Sequence, residues 1–287
     1  MHLTQAKIFL HAIDSGSLSK AALAFDYTPS GVSHMMTAFE EEVGFPLLVR
    51  TKNGVLPTPN AERLIPILRA QCQWEEQFSQ TVSEIRGLSR GTLNIAAYSS
   101  MASQWLPPVI ARYHKDYPNI HINLLEGIWQ EVEQNLLERK VDLGFYSYKP
   151  GLKHHWIPLK ADPMVVALPL GHPLAEQAAV SLGDIQHEPL IMPAYGADVD
   201  VMDLFKKAGV KPNIAFTTLE NYSAMRMVEE GLGLMLANEL ITKGRINRFR
   251  LLPLDPPHPV NLGIAVPEES RQTPAVLKFI DYARMMI

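Results

Sequence analysis

The N-terminal residues contain three short stretches in which apolar side chains recur at the spacing of one helix face. Only Asp26, Tyr27 and Thr28 separate the second stretch from the third, and Thr28 followed by Pro29 is typical of a helix start. Gly44 is typical of a helix end. Three short helices with a tight break before the last one predict a helix-turn-helix. The apolar positions are Ala6, Phe9, Leu10 and Ile13, then Leu18, Ala21, Ala22 and Phe25, then Val32, Met36, Phe39 and Val43.

The third predicted helix exposes small polar side chains near its start. In a helix-turn-helix the last helix lies in the major groove of DNA, and its early outward residues reach base edges. Hydroxyl groups allow a close approach to phosphates and bases, and His34 can donate to either. The pattern also fits a three-helix module that contacts proteins, because periodicity predicts helices and not partners. The predicted DNA-contacting residues of this helix are Thr28, Pro29, Ser30, Gly31, Ser33, His34 and Thr37.

A β-hairpin is predicted directly after this helix. Residues 45–50 have the composition of a strand, residues 51–54 form a turn with an Asn-Gly pair, and residues 55–56 return as the partner strand. A hairpin in this position is a wing, which contacts phosphates or the minor groove. The wing side chains suited to such contacts are Arg50, Lys52 and Asn53.

Residues 59–86 form one long helix pattern with a broad apolar stripe, followed by a predicted hinge at residues 87–91. The stripe either pairs with a second subunit or packs on the chain's own second domain. Its residues are Leu64, Ile67, Leu68, Trp74, Phe78, Val82 and Ile85.

From Thr92 onward the pattern alternates between strands and helices, which is typical of an α/β sheet. The predicted elements cover residues 92–97, 105–117, 120–125, 131–139, 141–145, 155–159, 164–168, 190–192, 201–207, 213–217, 221–230, 234–236, 260–266 and 274–286.

A ligand site is predicted where these strands end. In open α/β sheets ligands bind beyond the carboxyl ends of strands and between facing lobes. The hydroxyls and backbone N–H groups at Ser99 and Ser100, beside a predicted helix start, suit a carboxylate or a similar anion. The two serines can equally cap that helix, and aromatic residues at strand ends are often core residues. The predicted ligand contacts are Ser99, Ser100, Met101, Gly127, Ile128, Phe145, Tyr146, Ala194 and Tyr195.

Composition narrows the class of protein. At 287 residues the chain is long enough for two or three compact units, and 47% hydrophobic and 20% charged residues are ordinary for a globular protein. Cys72 is the only cysteine, which excludes an intrachain disulfide and a cysteine-rich metal site. The sequence has no signal-peptide pattern and no run of about 20 apolar residues, so we expect a cytoplasmic protein.

The charge balance predicts weak DNA binding by a single copy. The chain has a net charge of −4, and residues 1–58 carry four basic and five acidic side chains, a net charge of −1. Counterion release makes phosphate contacts a large share of DNA affinity. We therefore expect tight binding to need several copies together.

No catalytic constellation is recognisable. A G-x-S-x-G elbow and a Walker loop are both absent, and the glycines of residues 231–233 follow a predicted helix, the wrong order for a dinucleotide fingerprint. His154 and His155 are neighbours in a predicted extended segment, so they point to opposite faces and cannot easily share a metal ion. We predict no catalytic residue, no cofactor and no metal.

Ordered matches to one known family run along the N-terminal segment. They comprise Phe9, Ser33, the blocks at residues 16–22 and 39–44, Pro46-Leu47, Arg50-Thr51, and Thr58-Pro59 before Glu62. On these residues the segment resembles the DNA-binding domain of LysR-type transcriptional regulators. At some positions the chain departs from the family pattern. These positions lie on or beside the residues that would read bases, so they affect which operator sequence is bound. Pro29-Ser30 replaces the usual Gln-Pro, His34 and Leu56 replace Arg, and Ala61 replaces Gly.

The resemblance extends over essentially the whole chain, through the stretches YPNIHINLLEG, VDLGF, GHPLA and MVEEGLGLMLANE. It implies an α+β multidomain protein with a winged helix-turn-helix in residues 1–58, a linker and dimerisation helix with a hinge in 59–90, and an effector-binding domain in 91–287. The last would have two α/β lobes like a periplasmic solute-binding protein. Lobe I would cover about 91–160 and 266–287, and lobe II about 161–265.

Such a protein would be a sequence-specific transcriptional regulator whose promoter binding is modulated by a small molecule bound between the lobes. Its partners would be double-stranded promoter DNA, an effector such as a carboxylate, and further copies of itself through the linker helix, as a dimer or tetramer. RNA polymerase is a further candidate partner, and no membrane is involved. The alternative is a small-molecule-binding protein whose N-terminal domain mediates protein contacts only.

Overall fold

Three helices and a hairpin form the N-terminal unit of the computed structural model, which describes residues 3–52, 54–85, 90–244, 246–268, 270 and 273–287. The predicted winged helix-turn-helix is confirmed. Asn53 of the predicted turn and residues 87–89 of the predicted hinge lie outside the described residues. The helices are α1 (Leu3–Ser15), α2 (Leu18–Ala24) and α3 (Pro29–Val43), and the hairpin strands are β1 (Leu48–Thr51) and β2 (Gly54–Pro57).

Local capping explains where α3 begins and ends. The Thr28 hydroxyl accepts a hydrogen bond from the Gly31 N–H at 3.1 Å, and Gly44 adopts a left-handed φ of 82° after the last turn. Val32, Met36 and Phe39 are buried, as the spacing predicts. These side chains pack with those of α1 and α2 into one core of the N-terminal unit.

The hairpin is held to this unit by three hydrogen bonds, two to a side chain and one to the backbone. The Glu40 carboxylate on α3 accepts hydrogen bonds from the N–H groups of Leu47 and Leu48, at 2.7 and 3.1 Å. At the other strand, the Val55 N–H donates to the Gly16 carbonyl at 3.0 Å. The backbones approach so closely here that a Cβ atom on Gly54, whose φ is +129°, would lie 2.1 Å from the Gly16 oxygen. The position of the wing therefore depends on a glycine.

The long helix α4 (Pro59–Ile85) has faces with different surroundings. Leu68 is buried and Leu64 half-buried against the N-terminal core, whereas most of the predicted apolar stripe is exposed. Arg69 is 7% exposed, and its guanidinium donates to the Asp14 carboxylate of α1 at 2.5 Å. The Lys140 ammonium, from the C-terminal part of the chain, lies 3.4 Å from the same carboxylate.

The C-terminal part is built on a seven-stranded mixed sheet of order β10-β6-β11-β5-β3-β4, with β9 also paired to β6. A two-stranded parallel sheet of β7 and β8 lies apart from it. The strands are β3 (Gly91–Ala97), β4 (Ile120–Glu126), β5 (Leu143–Ser147), β6 (His155–Pro169), β7 (Leu190–Met192), β8 (Ile214–Thr217), β9 (Met235–Asn238), β10 (Phe249–Pro253) and β11 (Pro259–Val266).

Helices pack against this sheet and connect many of its strands. They are α5 (Ser99–Gln104), α6 (Leu106–Asp116), α7 (Trp129–Leu137), α8 (Leu182–Ile185), α9 (Val199–Ala208), α10 (Asn221–Glu229), α11 (Glu239–Thr242) and α12 (Pro274–Met286), with short 3₁₀ turns at Pro173–Glu176 and Ala194–Gly196. A buried cluster runs through the whole domain and includes Ile95, Phe145, Val166 and Leu236.

The structure differs from the predicted elements mainly at β6. Residues 155–159 and 164–168 were expected as separate elements, but they lie on one strand of 15 residues that pairs with β9, β10 and β11. The strand is long because it passes from one lobe into the other. β10 escapes prediction because its five residues give too short an alternation of buried and exposed positions.

Within the described residues, no helix combines the length and apolar character that crossing a membrane requires.

Replacing Gly54 with alanine tests the close approach at the wing. We expect Gly54→Ala to lower the free energy of unfolding by more than Gly44→Ala does. The loss for Gly44→Ala should be roughly 1–2 kcal/mol, because alanine there is strained by its positive φ but meets no clash. Gly44 is the matched control, since a Cβ atom there would meet nothing within 4 Å. Urea unfolding of the full chain measures both losses, and equal losses would contradict the predicted clash.

Candidate functional site

The early part of α3 presents a polar, solvent-exposed surface, and the wing lies directly beside it. The Arg50 guanidinium on β1 donates a hydrogen bond to the Ser33 hydroxyl on α3, with 2.8 Å between Nη2 and Oγ. This bond places a permanent positive charge next to the small side chains at the helix start. The recognition helix and the wing therefore form one continuous surface, which we call the α3–wing surface.

The predicted DNA contacts fall on this surface, although their contact with DNA stays a prediction. Gly31 and Ser33 are half-buried, and Asn53 lies outside the described residues. The exposed members of the set are Thr28, Pro29, Ser30, His34, Thr37, Arg50 and Lys52.

Two of the hydroxyls on the surface already have structural partners. Thr28 caps α3, and the Thr37 hydroxyl donates to the Ser33 carbonyl at 3.1 Å. The substituted family position Leu56 is 57% exposed on β2, while Ala61 is fully buried in the core. The Ser33 hydroxyl also has a partner, Arg50, whereas the imidazole of His34 is exposed to solvent.

A cavity of about 250 Å³ lies between the lobes of the C-terminal domain. Its first wall consists of the ends of β3 and β4 with the starts of α5 and α7. Its second wall consists of the starts of α9 and α10 with the end of β9. This arrangement is the one expected for a ligand of a two-lobed α/β domain. We call this cavity the interlobe cleft.

The structure brings only part of the predicted ligand set to the cleft. Met101 on α5 and Phe145 and Tyr146 on β5 are fully buried in the hydrophobic cores, the last two because β5 lies centrally in the sheet. Tyr195 is 69% exposed and does not line the cleft. The predicted residues that line it are Ser99, Ser100, Gly127, Ile128 and Ala194.

Acidic side chains, which were not predicted, dominate the charge of the cleft. Neither lysine, arginine nor histidine is among the described residues that line it, and the carboxylate effector stays a prediction. The acidic residues were missed because they lie in loops and helix starts, where a single sequence gives no periodic signal. They are Glu126, Glu131, Asp198, Asp200 and Glu220.

Asp200 is the innermost of these acids and joins the two walls. It is 4% exposed, and its Oδ1 lies 2.9 Å from the Lys149 ammonium. The Tyr98 hydroxyl lies 3.2 Å from Oδ2 and 2.9 Å from the Ser147 hydroxyl. Burial and the neighbouring carboxylate of Asp200 raise the pKa of Tyr98 well above its usual range. Tyr98 therefore stays neutral and acts as a hydrogen-bond donor in the wall.

Asp198 caps α9 and has an unusual acidity. Its Oδ1 accepts hydrogen bonds from the N–H groups of Asp200 and Val201, both at 3.0 Å. Burial, followed by the charge of Asp200, raises the pKa of the Asp198 carboxyl from 3.8 to about 6. Among the described residues, no group of three or more His, Cys, Asp or Glu side chains could hold a metal ion.

Two family models match the chain. Residues 3–62 match the bacterial regulatory helix-turn-helix protein, lysR family, and residues 86–286 match the LysR substrate binding domain. The uncharacterized HTH-type transcriptional regulator YvbU of Bacillus subtilis (strain 168) is 31% identical over 287 residues, covering 99% of this chain and 98% of YvbU.

Solved structures share the fold over the whole length. A variant of full-length OxyR from Pseudomonas aeruginosa has a TM-score of 0.74 at 18% identity, covering 100% of this chain and 99% of OxyR. Full-length CbnR complexed with its target DNA has a TM-score of 0.68 at 19% identity, covering 100% of both chains.

The acidity of Asp198 predicts a pH-dependent effect of Asp198→Asn, which keeps a capping oxygen but removes the carboxyl. The folded protein holds the Asp198 proton up to about pH 6, whereas the unfolded chain releases it near its ordinary pKa of 3.8. The stabilising contribution of this carboxyl is thus complete below pH 3.8 and is lost as the pH rises through 6. We expect the Tm of the variant, relative to the parent, to rise over this interval.

Asp184→Asn is the control of opposite sign. Hydrogen bonds from the backbone and hydroxyl of Ser181 lower the pKa of Asp184, so its contribution is present at neutral pH and is lost on acidification. Thermal unfolding from pH 3.5 to 8 compares the two variants with the parent. A Tm difference between Asp198→Asn and the parent that does not change with pH would contradict the raised pKa assigned to Asp198.

Proposed function

Because the chain belongs to the LysR family of DNA-binding transcriptional regulators, we propose that its α3–wing surface reads promoter DNA and that its interlobe cleft binds the effector. The early turns of α3 would lie in the major groove, with the wing along the phosphates or the minor groove. A regulator needs no catalysis for this role, and its place of action is the cytoplasm, where promoter DNA is found.

The hydrogen bond between Arg50 and Ser33 is the observation that carries the DNA-binding proposal. It combines a guanidinium suited to phosphate with a small hydroxyl on the exposed side of the recognition helix. CbnR, a protein of the same fold, forms a complex with its target DNA, which supports the same use of this surface here.

Binding of an effector in the cleft would alter promoter binding by changing the relative stability of two arrangements of the oligomer. A ligand that binds one lobe arrangement more tightly shifts the population toward it. The spacing of the DNA-binding domains on a bent promoter would then change, and with it the access of RNA polymerase, the further proposed partner.

The proposed domain boundaries put the DNA-binding domain in residues 1–58, the linker helix and hinge in residues 59–90, and the effector-binding domain in residues 91–287.

Self-association is proposed to use the exposed stripe of α4. Its positions alternate in steps of four and three residues, which is the spacing of a coiled-coil seam. The four apolar side chains among them are 55–80% exposed, so they are not covered by the chain's own second domain. A second copy lying antiparallel would bury them. The α4 seam consists of Ile67, Gln71, Trp74, Phe78, Thr81 and Ile85.

Substituting the recognition helix tests the DNA-binding proposal. We expect His34→Ala and Ser33→Ala each to weaken binding to the DNA beside the protein's own gene by about 10-fold or more, because a lost base contact costs roughly 1–3 kcal/mol. His114→Ala, at an exposed position in the last turn of α6, is the matched control and should bind as the parent does. Electrophoretic shift at constant salt measures the affinity.

Tm values of the same variants distinguish a contact from a fold defect, and they should equal that of the parent. If the parent gives no shift while small molecules still stabilise it, the alternative of a ligand-binding protein with a protein-contacting N-terminal domain is favoured instead.

Charged substitutions in the α4 seam test the oligomer. We expect Trp74→Glu combined with Phe78→Glu to give monomers in sedimentation velocity and to lower DNA affinity by about 100-fold, because the DNA-binding domains would no longer be linked. Ser79→Glu is the control, because Ser79 is the exposed residue after Phe78 and lies outside the seam. It should leave the oligomer intact. A double variant that remains a dimer would overturn the proposed interface.

A further inference from the structure

The interlobe cleft carries acidic side chains on both of its walls. Glu126 and Glu131 belong to the first wall, at the end of β4 and in the first turn of α7. Asp198, Asp200 and Glu220 belong to the second wall, at the starts of α9 and α10. Like charges from separate lobes therefore share one small cavity.

One of these acids, Asp200, is already compensated by a lysine behind the cleft wall. Lys149 does not line the cleft, and its ammonium lies 2.9 Å from Asp200 and 2.6 Å from Asp203. Glu131 is partly used in folding, since it accepts a hydrogen bond from the Ile128 N–H at 3.0 Å. Glu220 makes no capping hydrogen bond to α10, so its charge is available to a ligand.

We propose that the effector bound in the interlobe cleft is a small organic cation, of the class of aliphatic or arylalkyl amines, held between carboxylates of the two lobes. This inference rests on the proposed function of the cleft and adds the chemical class of its ligand.

Charge decides against the other ligand classes. An anion would add a further negative charge to a cavity whose described lining has five carboxylic acids and no basic side chain. A bare metal ion lacks a binding set, because no suitable group of three ligating side chains is found in the described part of the chain. A neutral ligand would leave the acids of both walls facing each other in a less hydrated space.

The remaining wall fits the organic part of such a molecule. Ile128, Trp129, Leu219 and Ile241 supply apolar and aromatic surface, and an aromatic ring also attracts an ammonium group. The side-chain amide nitrogen of Asn238 is buried in the same wall without a hydrogen-bond partner among the described residues.

The charge distribution also gives the ligand a means of closing the cleft. Carboxylates on the two lobes repel each other most strongly when the lobes approach. A cation between them converts this repulsion into attraction on both sides, so it stabilises the closed arrangement more than the open one. Such a difference in affinity is what any ligand needs to shift a conformational equilibrium.

Probes matched in length but not in charge test the inference on the full chain. We expect 1,4-diaminobutane to raise the Tm and to bind at least 10-fold more tightly than butanedioate or 1,4-butanediol, at constant ionic strength and pH 7.5. Scanning fluorimetry and isothermal titration calorimetry measure these effects. Glu126→Gln combined with Glu220→Gln, one substitution on each wall, should lower the diamine affinity by 10-fold or more.

Glu176→Gln is the control for general attraction to an acidic surface, since Glu176 is exposed and outside the cleft. It should leave the diamine affinity unchanged. Tighter binding of the diol or the dicarboxylate, with loss in the double variant, would overturn the cationic class while the cleft remained the effector site. Failure of all three probes to bind would also overturn it, and the DNA-shift assay would still decide the regulatory function separately.

Discussion

A shared carboxylate joins the three units of this protein. Asp14 on α1 accepts a hydrogen bond from Arg69 on α4 and lies within ion-pair distance of Lys140 from the C-terminal domain. Arg69 is almost fully buried, so removing Asp14 would leave a buried guanidinium without its ion-pair partner, which destabilises the folded protein. Together with the Lys7–Glu75 ion pair at 2.7 Å and the hydrogen bond from Gln80 to the Thr92 carbonyl at 3.1 Å, this contact orients the DNA-binding unit relative to the linker helix and the sheet domain. The proposed coupling between cleft and promoter depends on that orientation.

The recognition unit could be predicted almost completely because its signals are local. Periodic burial, the Thr28-Pro29 start and the Gly44 end each involve residues close in sequence, and each agrees with the same fold. What could not be predicted there is the role of Glu40. Its carboxylate is committed to the backbone of the wing, although in the sequence it is one of three consecutive glutamates.

The cleft could be located from the sequence but not described. The ends of strands pointed to Ser99, Gly127 and their neighbours, which line the cleft, because fold topology determines where strand ends meet. Phe145 and Tyr146, at the end of β5, were also predicted to contact the ligand. Both are buried in the core instead, because β5 is a central strand with both faces covered. The acids of the second wall lie far along the chain from those of the first wall (Asp198 against Glu131 at the nearest), so only the folded chain shows that they face the first wall.

The continuous course of β6 limits how the lobes can move. Since β6 and β11 pass through both lobes side by side, any rotation of one lobe must bend two hydrogen-bonded strands rather than swing on slack connections. Their pairing is interrupted once, between Leu262 and Gly263, where the backbone is too close to the Ile157 oxygen for any side chain. If the proposed effector moves the lobes, we therefore expect the motion to bend this ladder at its irregular step rather than to pivot on a free linker.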